Sequence, residues 1–65
     1  MKEATAPRVE FLKKARTGTT SVDYYPPVKW AIGKGFVTET RGKFGGTTYR
    51  ITPEGEAFLT QAGVT

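Results

Sequence analysis

The sequence contains no cysteine and no histidine, and its 65 residues include one methionine and one tryptophan. Without cysteine there is no disulfide staple and no thiolate nucleophile. Without either residue the usual zinc donors are missing, because zinc prefers nitrogen and sulfur ligands. The general base most often used near neutral pH is missing too. No metal, no cofactor and no catalysed reaction are expected. Charges interrupt the chain, and no stretch approaches the roughly 20 apolar residues of a membrane-spanning helix. Met1–Ala6 is polar and carries Lys2 and Glu3. No leader segment and no membrane partner are predicted, and the expected setting is cytoplasmic.

The length allows one domain, residues 1–65, with 1–5 and 63–65 frayed. A chain this short buries only about 60% of its unfolded surface, so its core must be used economically. Ten Lys and Arg stand against six Asp and Glu, for a net charge of +4. All ten cations and four of the acids (Glu3, Glu10, Asp23, Glu39) lie within residues 1–50, whereas 51–65 carry only Glu54 and Glu56. A basic body suggests one anion-facing surface, and nucleic acid is its commonest partner. The same charge is also ordinary for solubility in a small domain.

Thr5-Ala6-Pro7 reads as a helix start with a threonine cap and proline in the first turn. Phe11, Leu12 and Ala15 then share one face, and Gly18 is a stop. Thr20 and Asp23 have capping-box spacing, which predicts one or two helical turns within Thr19–Tyr25. Pro27–Lys34 is helical again, with Val28, Ala31, Ile32 and Gly35 in one stripe and Lys29, Trp30, Gly33 and Lys34 on the other side. Gly35 ends it. Phe36–Arg41 and Thr47–Thr52 are rich in β-formers and flank Gly42-Lys43-Phe44-Gly45-Gly46, giving a hairpin with a basic tip. Thr52-Pro53-Glu54 opens a last helix, whose apolar side is Phe58, Leu59 and Ala62.

Two segments carry a resemblance. Val28-Lys29-Trp30-Ala31-Ile32-Gly33-Lys34-Gly35-Phe36-Val37 resembles a recognition helix running through glycine into a wing strand. Tyr49-Arg50-Ile51-Thr52-Pro53-Glu54-Gly55-Glu56-Ala57-Phe58-Leu59 resembles the wing exit of the same family, the winged helix-turn-helix DNA-binding domains. The fold implied is α+β, with three N-terminal helices (the second very short), a two-stranded wing and a C-terminal helix. The chain departs from the family at Thr19–Pro26, which leaves little room for the helix that usually precedes the recognition helix.

The resemblance implies a small double-stranded DNA-binding protein acting as a transcriptional regulator. Helix 27–34 would enter the major groove, and wing 41–47 would lie on the backbone or minor groove. One such unit buries little area on DNA, so a homodimer or tandem sites are a common solution. Lys29, Trp30 and Lys34 are the helix candidates, although Trp30 also suits the core of so small a domain. Arg41 and Lys43 suit phosphates, or else a charged edge that blocks strand aggregation. Phe44 is a wedge, a partner anchor or a lid on the hairpin. Lys13, Lys14 and Arg16 complement the helix dipole or touch phosphates secondarily. Tyr24 and Tyr25 suit stacking on unpaired bases, or packing. The alternative function is a protein-interaction module, an adaptor or inhibitor using exposed Trp30 and Phe44.

Overall fold

The computed structural model describes residues 3–22, 24–43 and 46–64. The first helix, α1, spans Ala6–Ala15 with Pro7 in its first turn. Thr5 holds the extended N-cap position (φ −72°, ψ 155°), but its hydroxyl makes no capping bond, so Thr5 caps by backbone shape alone. Phe11, Leu12 and Ala15 are buried along one side. Lys13 and Lys14 stand in the last turn, where positive charge suits the exposed carbonyls.

The short helix expected between α1 and the next helix is a strand. Thr19–Thr20 forms β1 and pairs antiparallel with the third strand, Thr19 opposite Tyr49 and Thr20 opposite Thr48. Two β-branched threonines favour an extended backbone. The neighbouring strand also has a row of N–H and C=O groups that need partners. A local capping signal is weaker than both. Asp23, its other half, lies outside the described residues. Among the described residues, two helices rather than three therefore precede the hairpin.

The second helix, α2, spans Pro26–Lys34, one residue earlier than its sequence signal. Both prolines fit its first turn, where an N–H would have no helical acceptor. Pro27, Val28 and Ala31 are buried, and Ile32 is only half-buried. Gly35 closes the helix in the left-handed region (φ 75°), its N–H bonding Ile32 O at 3.1 Å and the Phe36 N–H bonding Ala31 O at 2.9 Å. A side chain there would clash with its own carbonyl, which is why glycine dominates this position.

Strands β2 (Val37–Arg41) and β3 (Thr47–Ile51) form the hairpin, in register from Val37 opposite Ile51 to Arg41 opposite Thr47. The sheet has three antiparallel strands in the order β1-β3-β2, so the hairpin is not an isolated pair. Val37 and Tyr49 point into the core, with Tyr49 edge-on to Phe11 at 5.8 Å. Thr38 through Lys43 are all exposed, whereas Thr47 and Thr48 opposite them are half-buried.

The last helix, α3, spans Pro53–Gln61. The Thr52 hydroxyl accepts from the Gly55 N–H at 3.2 Å and donates to Gly35 O at 2.7 Å. One side chain thus caps the start of α3 and satisfies a carbonyl at the end of α2. The core comprises Phe11, Leu12, Ala15, Val28, Ala31, Val37, Tyr49, Phe58 and Leu59. Ile32 and Ile51 are half-buried at its rim. The result is a small α+β fold with three helices and a three-stranded antiparallel sheet.

Gly33 sits in α2 with no atom within 4 Å of where a Cβ would stand. Gly33→Ala should therefore stabilise the chain by about 0.5–1 kcal/mol through helix propensity. Urea titration checks this, and a lower midpoint would show that the helix is constrained there in some other way.

Candidate nucleic-acid interface

On α2 the three helix candidates separate. Lys29 lies opposite buried Pro27, Val28 and Ala31 and is exposed, with no ion pair among the described residues. Lys34 reaches back toward the start of the chain, its Nζ 3.3 Å from Glu3 Oε1. Trp30 turns to the flank. It packs edge-on against Phe36 (centroids 5.3 Å apart) and Phe58 (5.1 Å), and the Arg8 guanidinium lies 4.7 Å from its ring centre. Its indole N–H is buried and has no hydrogen-bond acceptor among the described residues. Leaving such a donor unpaired costs about 1–3 kcal/mol, and the aromatic cluster and the cation over the ring offset it. Trp30 is therefore a packing residue that closes the gap between α2 and α3. Trp30 is half-buried, and its neighbours Phe36, Phe58 and Arg8 come from three other parts of the chain.

Arg41 ends β2 and Lys43 follows in the turn, both exposed. The hairpin closes with the Gly42 N–H donating to Gly46 O at 2.6 Å. Phe44 falls outside the described residues. On the Tyr49 side of the hairpin an open groove separates the strands from the segment joining β1 to α2. Arg41, Lys43 and Glu39 line one wall, and Thr20, Val22 and Tyr24 line the other. Tyr24 is 73% exposed and Val22 48%. An aromatic ring, an apolar side chain, two cations and a carboxylate thus line one open groove. Base stacking with phosphate neutralisation needs a ring and cations of this kind.

No local sequence signal brings Tyr24 and Arg41 to one groove. The β1–β3 pairing does so by laying the connection after Thr20 beside the hairpin. Glu39 shares this groove, whereas two other acids are engaged elsewhere, Glu56 by Arg16 at 2.7 Å and Glu3 by Lys34. Arg16, one of the secondary phosphate candidates, is thus engaged with a carboxylate, whereas Lys13 and Lys14 are exposed.

No family model, curated protein or solved structure matches the chain. Among the described residues no three His, Cys, Asp or Glu side chains gather where a metal ion could be held, and no helix is long and apolar enough to cross a membrane. What the surface offers is cations on a helix and on the hairpin it feeds.

Proposed function

We propose that the chain is a winged-helix module that binds double-stranded DNA, acting as a small transcriptional regulator without catalysis. The observation that carries the reading is the junction at Gly35. Helix α2 exposes Lys29 and passes directly into a hairpin whose first strand is exposed from Thr38 onward and leads to Arg41 and Lys43. Thr52 fixes that junction through Gly35 O, so helix and hairpin present their cations from one rigid base. Where winged-helix domains usually carry the helix that precedes the recognition helix, this chain has β1 at Thr19–Thr20.

In this reading α2 lies in the major groove with Lys29 on phosphate or guanine edges. The wing, 41–47, follows the adjacent backbone or minor groove, and Lys34 exchanges its Glu3 partner for a phosphate. Affinity comes chiefly from counterions released at each neutralised phosphate. The protein-docking alternative is weaker here, because one of its two anchors, Trp30, is spent on packing.

Titration of random-sequence duplex at about 50 and about 200 mM salt tests the reading. Lys29→Ala, Arg41→Ala and Lys43→Ala should each weaken binding across all sequences and flatten the log affinity against log salt slope by about 1. Slopes that stay at the parent value in all three variants would remove the DNA reading. Tighter binding to unpaired strands, lost in Tyr24→Ala, would assign the groove to single-stranded nucleic acid instead.

A further inference from the structure

The free edge of β2 offers a second interaction surface. Two hydrogen bonds bracket the β2–β3 ladder, Thr52 N–H to Phe36 O at 2.9 Å and Gly42 N–H to Gly46 O. Bonded pairs alternate along an antiparallel ladder. Thr38 and Thr40 therefore turn their backbone groups toward β3, in phase with Phe36 and Gly42, and Val37, Glu39 and Arg41 turn theirs outward. No strand among the described residues covers this edge. Glu39 and Arg41 are exposed, share the groove face of the sheet, and make no ion pair among the described residues.

We propose that β2 pairs antiparallel with β2 of a second copy of this chain, about a two-fold axis at Thr40, with Glu39 of each copy opposite Arg41 of the other. An edge strand is normally protected by charge of one sign. Here the two charges are opposite and two residues apart, which makes the edge complementary to itself. The axis position follows from the charges. Centred on Thr40, the pairing satisfies the outward groups of Glu39 and Arg41 in both copies, with four backbone bonds and two oppositely charged pairs. Centred on Glu39, it sets Glu39 against Glu39. Centred on Thr38, it sets Val37 against Glu39 and leaves Arg41 alone. Opposite charges directly across strands stabilise and like charges destabilise. The result is a continuous six-stranded sheet, β1-β3-β2-β2-β3-β1, with both grooves on one side, as an isologous contact requires. The proposal does not depend on the nucleic-acid reading.

A short strand pair buries well below the roughly 1,200 Å² of stable interfaces, so association is weak and is read at about 0.1–1 mM chain. Sedimentation velocity across a concentration series, without nucleic acid, should show monomer passing to dimer. Glu39→Arg alone, or Arg41→Glu alone, should weaken the dimer on the order of tenfold or more, and the double swap should restore it. The unmodified chain gives an independent reading. The amides of Glu39 and Arg41 point outward in the monomer, and their exchange should slow as concentration rises. A chain that stays monomeric, a double swap as weak as the singles although folded, or a dimer in which these two amides remain unprotected would each overturn the proposal.

Discussion

Leu12→Ala should lower the unfolding free energy by about 2–5 kcal/mol, enough to abolish a cooperative urea transition in a domain of this size. Leu12 is fully buried and stands with Tyr49, Leu59 and Val28 among the largest wholly enclosed side chains. It projects from the middle of α1, so its removal leaves a void that no rim residue can collapse into cheaply. The loss then includes a cavity cost beyond the lost transfer free energy. Ile51→Ala makes the comparison informative. The two residues read alike in the sequence, but Ile51 is half-buried at the rim, so its truncation should cost clearly less. Equal midpoints for Leu12→Ala and the parent would mean that α1 does not anchor the core.

Gly55→Ala should destabilise the chain by about 2–3 kcal/mol, a drop of roughly 10–20 °C in Tm. Helix propensity alone predicts the opposite sign, a gain of about 1 kcal/mol in the first turn of α3. The decision lies in the space. A Cβ at Gly55 would overlap Phe36 O and lie 2.6 Å from Ile51 Cγ1. Phe36 O is backbone, already holding the Thr52 N–H, so it cannot retreat without opening the base of the hairpin. Thermal unfolding of Gly55→Ala beside Gly33→Ala provides the test. The same substitution in two helices should move Tm in opposite directions, and a Gly55→Ala protein as stable as the parent would show that α3 does not press on the strand junction.

The helices were legible because their ends carry their own chemistry. Pro7, Pro26, Pro27 and Pro53 start helices by fixed φ, Gly35 stops one by its left-handed backbone, and Thr52 caps by a local bond. The strand β1 was not legible. Its two threonines extend because β3 lies beside them, about thirty residues away in sequence, and the nearby Thr20–Asp23 spacing points to a different structure. The surface divides the same way. The exposure of Lys29, Arg41 and Lys43 follows from period and turn. The capture of Lys34 by Glu3, of Arg16 by Glu56 and of Trp30 by Phe36, Phe58 and Arg8 depends on chain segments meeting in space. Gly55 carries both lessons. Its place in the motif was visible, but the contact that makes it glycine belongs to Phe36 and Ile51.

The placement of Trp30 also equips the chain with an optical reporter. It is the sole tryptophan, enclosed by aromatic rings from the end of α2 and from α3 and overlaid by a guanidinium from α1. Its emission therefore registers whether the three helices remain assembled. Arg41 and Lys43 belong to a separate, exposed part of the molecule. A variant that has lost its architecture will change colour, and one that has lost only its ligand will keep the parent spectrum.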